Sequence, residues 1–177
     1  MTQSKAKVAI VVGSDSDLPV VAETTHILDT FEIGYTVAVA SAHRTPEKVK
    51  KYIRDAEKNG AEVFIAAAGM AAALPGVVAS ETILPVIGVP IDSKHLGGVD
   101  ALFAIVQMPP GIPVATVAFG KPGARNAALL AVQILSVKDV SLRDKMIAFR
   151  KKNADVILEK DTQLQELGIK KYLELHK

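Results

Sequence analysis

The reading of Lys7-Val-Ala-Ile-Val-Val-Gly-Ser-Asp-Ser-Asp-Leu-Pro19 decides the fold. Val8 to Val12 are all apolar and mostly β-branched, and they end at Gly13. A short, unbroken apolar run predicts a strand buried on both faces rather than one with a wet side. Ser16-Asp17-Leu18-Pro19 then offers a capping side chain and an early proline, which predicts a helix start. Val20, Ile27 and Phe31, with Val21 and Leu28 beside them, fall on one face of that helix. Strand, glycine turn and helix in this order are the opening of a parallel β-α-β unit.

The same order recurs down the chain. Strands are predicted at Gly34–Ala40, Glu62–Ala67, Pro85–Val89 and Val114–Phe119. Helices are predicted from Thr45-Pro46-Glu47 to Asn59-Gly60, at Ala71–Thr82 (entered through Gly69-Met70), at Val99–Val106 and at Ala124–Leu135. Beyond Val137 the composition turns to charged, amphipathic helix. Five alternations with apolar strands predict an α/β fold: a three-layer α/β/α, flavodoxin-like doubly wound parallel sheet, with ligands at the carboxyl ends of the strands. The 177 residues suit one domain, residues 1–177, with a core of about 7–137 and C-terminal helices over about 138–177.

Composition excludes several classes. Lys plus Arg is 21 and Asp plus Glu 19, a net charge of +2, which gives no basic face for nucleic acid. Aromatics are 5%, too few for base-stacking platforms. With no cysteine there is no disulfide framework, thiolate nucleophile or cysteine-bound metal, and the start has no long apolar run of a signal peptide. Ala101 to Phe119 carries no charge, yet Pro109, Pro110, Gly111 and Pro113 would break a membrane-spanning helix there. Only Glu62, Glu81, Asp92, Lys94 and Asp100 are charged between Ala61 and Gly120. So few charges leave helix faces near Leu74–Ser80 and Ala101–Val106 to be covered, either by another copy of the chain or by its own C-terminal helices.

The loops after the first three strands hold the candidate chemistry. Gly13-Ser14-Asp15-Ser16-Asp17 joins a tight-turn glycine to hydroxyls and helix-start N–H groups, suited to phosphate or sugar oxygens; plain helix capping by Ser16 or Asp17 explains it equally well. It is neither a Walker loop nor Gly-x-Gly-x-x-Gly. Ser41-Ala-His-Arg-Thr-Pro46 places a proton carrier, His43, beside an anion-binding Arg44; alternatively the pair is solvated, with Thr45 and Pro46 only starting a helix. Ala66 to Gly76 is so small-residued that a ligand ring could approach its backbone, or a helix could pack closely there. His26 reads as a surface residue, His176 as part of the tail, and His95 as a loop residue able to approach the site. No His/Asp/Glu set has metal-ligand spacing, and no Gly-x-Ser-x-Gly elbow is present.

Gly13-Ser-Asp-Ser-Asp17, Ser41-Ala-His-Arg-Thr-Pro46, Ala71-Ala-Ala-Leu-Pro-Gly76, Ile105-Val-Gln-Met-Pro-Pro-Gly-Ile-Pro113 and Asn126-Ala-Ala-Leu-Leu130 stand in order. Together, over about Val8 to Leu135, they resemble the signatures of the N5-carboxyaminoimidazole ribonucleotide mutases of de novo purine biosynthesis. The resemblance implies a cytoplasmic enzyme without cofactor or metal, assembled as a homo-octamer with sites between subunits. It would act on a ribonucleotide and on CO2 released and retaken within the site, with no nucleic-acid or membrane partner. It implies that the carboxyl group moves from the exocyclic nitrogen to ring carbon C4, with His43 as general acid/base. Ser14 and Arg44 match positions near phosphate and Asp17 a position near ribose, while Ser41 matches a pocket residue. Gly13, Ser16, Gly69, Ala73 and Leu74 complete the expected substrate-binding set. The chain departs from the family at Ala73, where these mutases usually carry a second histidine. That departure leaves two alternatives: a direct carboxylase of the aminoimidazole ribonucleotide, or a weakly active or non-catalytic nucleotide-binding homologue.

Overall fold

The structure, a computed structural model, describes residues 6–93 and 96–176. Its elements are β1 (Val8–Val12), α1 (Leu18–Thr30), β2 (Tyr35–Val39), α2 (Pro46–Lys58), β3 (Val63–Gly69), α3 (Leu74–Glu81), β4 (Val86–Ile91), α4 (Val99–Val106), β5 (Ala115–Thr116), α5 (Gly120–Ser136) and α6 (Val140–Leu175). A 3-10 turn, Asp15–Asp17, precedes α1. The strands form one all-parallel sheet in the order β2-β1-β3-β4-β5. This is the flavodoxin-like order, whose switch point lies between β1 and β3.

Side chains alternate across the sheet, so each central strand feeds two cores. Ala9 and Val11 of β1 with Phe64 and Ala66 of β3 pack against Val49 and Ile53 of α2, Val78 of α3, and Ala101 and Ile105 of α4. Val8, Ile10 and Val12 are equally buried on the other face, with Val21 and Leu28 of α1 and Ala124 and Ala128 of α5. There the fully buried Thr24 donates its hydroxyl to the Ala124 carbonyl (2.9 Å), and Glu23 pairs with Arg125 (2.9 Å). Tyr52 fastens α2 to the sheet: its phenol donates to the Ile10 carbonyl (2.9 Å) and lies 2.8 Å from the Thr36 hydroxyl.

Several boundaries differ from the sequence reading, each for a structural reason. β3 and β4 run to Gly69 and Ile91 because Ala68 pairs with Pro90 and Gly69 with Ile91. α3 begins at Leu74 instead of Ala71, since Met70 (φ 57°) and Ala72 (φ 30°) adopt left-handed backbone that no helix continues. β5 spans two residues rather than six. The Val117 N–H reaches the Gly88 carbonyl (3.1 Å), and the next rung would need an N–H that Pro90 lacks. α5 starts at Gly120, with Pro122 in its first turn, where a missing N–H costs nothing.

The chain divides into two compact units, one ending at Leu135 and one beginning at Ser136. In the second, Asp139 caps α6 by accepting from the Leu142 N–H (3.2 Å), and Gly168 (φ 70°, ψ 155°) interrupts the helix. Exposed apolar side chains run along α6, among them Ile147, Ile157, Leu158 and Ile169. In the first unit α4 exposes Val99, Phe103 (57%) and Val106, whereas Leu74, Pro75, Val78 and Ala79 of α3 are buried within the chain. Among the described residues no helix is long and apolar enough to cross a membrane.

Candidate functional site

Parallel pairing puts the carboxyl ends of β1, β2 and β3 side by side, so their loops share one edge of the sheet. Ser14, leaving β1, caps the 3-10 turn in a reciprocal box. The Ser16 N–H donates to Ser14 Oγ (3.3 Å), and the Ser14 N–H donates to Asp17 Oδ2 (3.1 Å). Ser16 Oγ lies 2.9 Å from Ser14 Oγ. Asp17 is only 8% exposed, and burial pushes its carboxyl above the usual range, opposed by the bonds from Ser14 and Ser16.

The second loop folds onto the first. Arg44 Nη2 donates to the Gly13 carbonyl (3.2 Å), so a guanidinium from the β2 edge lies against the β1 turn. The Arg44 N–H donates to Ser41 Oγ (3.2 Å). His43, at the apex of this loop, is exposed and makes no hydrogen bond or ion pair among the described residues. Its ring is therefore free to meet a ligand, and nothing among the described residues fixes its tautomer.

The third loop enters from β3, where the Gly13 N–H donates to the Ala67 carbonyl (3.4 Å) and ties the first turn to the neighbouring strand. Met70 and Ala72 hold positive φ, and the Ala72 N–H closes the turn on the Gly69 carbonyl (3.1 Å). Such backbone in non-glycine residues is costly and concentrates at ligand sites. Ala73 occupies the cap position of α3. Leu74 does not line the loop with its side chain, which is 2% exposed and packed into the core.

Helix capping, the plain alternative for these loops, accounts for the first, where Ser14 and Asp17 box the 3-10 turn that leads into α1, and not for the second and third. The residues at the cap positions of α1, α2 and α3 are Asp17, Thr45 and Ala73, and none gives its helix a side-chain cap. Asp17 is turned back to Ser14, Thr45 is turned back to Ser41, and alanine has no acceptor to offer. The starts of α2 and α3 thus present N–H groups to one edge of the sheet without an acceptor from a cap side chain, an arrangement suited to anionic oxygens.

A family model described as AIR carboxylase matches residues 7–156. This chain belongs to the AIR carboxylase family. Among its relatives, the N5-carboxyaminoimidazole ribonucleotide mutase of Pyrococcus abyssi is 56% identical over 168 residues, covering 95% of each chain. The protein of that name from Thermotoga maritima is 48% identical over 167 residues, covering 94% of this chain and 96% of that one. A crystal structure of Treponema denticola PurE matches with a TM-score of 0.82 at 33% identity, covering 89% of this chain and 97% of that one. The family match spans all three loops.

Of the predicted site residues, the structure brings Gly13, Ser14, Ser16, Asp17, Ser41 and Arg44 into linked loops and sets His43 on the same edge. Gly69 and Ala73 stand at the end of the adjoining strand. His26 is exposed on α1, and the His176 ring stacks on Tyr172 at 4.3 Å between centroids. His95 lies outside the described residues. Sequence reasoning missed the back-turned hydroxyl of Thr45, for which the only signal was its place four residues after Ser41. No group of three or more histidine, cysteine or acidic residues among the described residues is arranged to hold a metal ion.

Proposed function

We propose that the chain is an N5-carboxyaminoimidazole ribonucleotide mutase, an enzyme of the isomerase class acting in purine biosynthesis. The observation that carries this reading is the Arg44–Gly13 bond: it joins a guanidinium to the hydroxyl-rich turn at the edge where α2 and α3 start without a side-chain cap. Those groups suit a ribonucleotide, with Arg44 and Ser14 on its phosphate and Asp17 and Ser16 toward its ribose hydroxyls. Gly13 and Ser41 shape the pocket wall. Gly69, Ala73 and the backbone at Leu74 leave room for the heterocycle and the moving carboxyl group.

His43 as imidazolium protonates the carbamate nitrogen; the N–C bond breaks, its electrons stay on nitrogen, and CO2 is released. Ring C4, now enamine-like, attacks the CO2 carbon before the gas escapes from the small-residue pocket. The neutral imidazole then takes the C4 proton, which restores aromaticity and returns His43 to its first state. One group thus serves both proton transfers, and the sum is an isomerisation.

The assembly belongs to the same proposal: a single domain with a helical extension, packed as a homo-octamer in the cytoplasm. The exposed Val99, Phe103 and Val106 of α4 and the apolar residues along α6 favour burial against further copies.

The test is an absorbance assay with two nucleotides: the N5-carboxylated one alone, and the uncarboxylated one with bicarbonate. The mutase reading expects consumption of the first. Consumption of only the second would establish the direct carboxylase, and binding without consumption of either would leave a nucleotide-binding homologue. Restoring the imidazole with Ala73→His shows whether the donor depends on that position.

A further inference from the structure

Threonine at a helix cap position ordinarily accepts from an N–H in the first turn. Thr45 stands at that position before α2, with φ −139° and ψ 54°, and its side chain makes no such bond. Thr45 Oγ1 instead accepts from the Ser41 N–H (2.9 Å) and donates to the Ser41 carbonyl (3.3 Å), which also receives the Thr45 N–H (2.9 Å). With Arg44 N–H on Ser41 Oγ (3.2 Å), every polar group of Ser41 is engaged by the two residues that close the loop. Only Ala42 and His43 stand between the ends of this clamp.

His43 has no hydrogen bond of its own among the described residues, so the loop backbone, which sets the direction of its Cα–Cβ bond, is what holds its ring toward the edge. Arg44, by contrast, is separately anchored on the Gly13 carbonyl. We infer that Thr45 is a positioning residue: its hydroxyl, withdrawn from helix capping, closes the Ser41–Thr45 loop and so aims His43 at the reacting atoms. The catalytic part of this inference rests on the function proposed above; the clamp itself does not.

The pair Thr45→Val and Thr45→Ser tests it, because valine keeps the shape without the hydroxyl and serine keeps the hydroxyl. In Thr45→Val, kcat is expected to fall roughly tenfold to a hundredfold through misplacement of the acid/base. The KM should stay within about threefold, because the Arg44 anchor remains, and Thr45→Ser should restore kcat. In parallel, hydrogen exchange at the Ser41 amide is expected to be slow in the wild type and Thr45→Ser and fast in Thr45→Val. A Thr45→Val protein with wild-type kcat, or a Thr45→Ser protein as impaired as Thr45→Val, would overturn the positioning role. Unchanged Ser41 exchange in Thr45→Val would overturn the clamp. If the wild type consumes neither nucleotide, the functional reading fails, and amide exchange still decides the clamp.

Discussion

Replacing Gly88 with alanine puts one methyl group where the sheet and α4 meet. A Cβ at that position would stand 2.5 Å from Ile105 Cγ2, 2.9 Å from Val114 Cγ1 and 3.4 Å from Pro75 Cβ. Ordinary carbon–carbon contacts lie at about 3.5–4.0 Å, so the nearest is short by about 1 Å. Ile105 is fully buried and cannot swing into solvent, while β4 is held by β3 along its length. The strain must move α4 or the strand, and overpacking of this kind costs about 1–3 kcal/mol. For a chain of this size each kcal/mol shifts the melting temperature by about 2–4 °C, so a loss of 2 kcal/mol lowers it by about 4–8 °C. The assay is thermal unfolding followed by circular dichroism, on Gly88→Ala, Ile105→Leu and the double variant. Leucine lacks the Cγ2 methyl on Cβ that meets the new methyl, so the double variant should recover at least about 0.5 kcal/mol relative to additivity. A melting point within about 1 °C of wild type, or strictly additive effects, would refute the argument from packing.

Other outcomes follow from the site and the helices. His43→Asn should leave nucleotide binding nearly unchanged by calorimetry while lowering turnover by about a hundredfold to ten-thousandfold; weakened binding with the chemical step intact would contradict its role. Asp17 has its folded-state pKa raised by burial, so the fold favours its protonated form and loses that stabilisation as pH rises from about 4 through the folded value. The stability of Asp17→Asn relative to wild type should therefore increase across that window and level off above it; a difference that stays flat or runs the other way in urea titrations would disprove this. Thr24→Val removes the buried bond to the Ala124 carbonyl at almost constant volume and should cost about 1 kcal/mol in urea unfolding. No loss would mean that the α1–α5 contact is held by packing alone.

The layers were legible in the sequence because strand burial writes itself as composition. Val8–Val12 and Val63–Ala68 are apolar at every position, since helices cover both faces of those strands. The amphipathic stripe of α2, with Val49, Ile53 and Ala56 buried, was readable for the same reason. The candidate residues of the first two loops were legible because hydroxyls, a carboxylate, an imidazole and a guanidinium follow apolar strands at the sheet edge where a doubly wound fold binds ligands. What escaped was conformation. Nothing in Met70-Ala71-Ala72 signals left-handed backbone, because alanine and methionine favour helix by local propensity and the turn out of β3 overrides it. The shortness of β5 was hidden too, since its limit is a proline on another strand.

By itself, the order of residues determined that a parallel sheet would form, which helices would cover it and which loops would carry oxygen- and anion-binding groups, because each follows from side-chain chemistry within a few neighbours. Tertiary structure alone decided that Arg44 would lie on Gly13, thirty-one residues earlier, that Asp17 would box with Ser14, and that Thr45 would turn back into its loop rather than cap its helix. Those choices pit one hydrogen bond against another of similar strength, and only the folded positions of β1, β2 and β3 settle which partner is within reach.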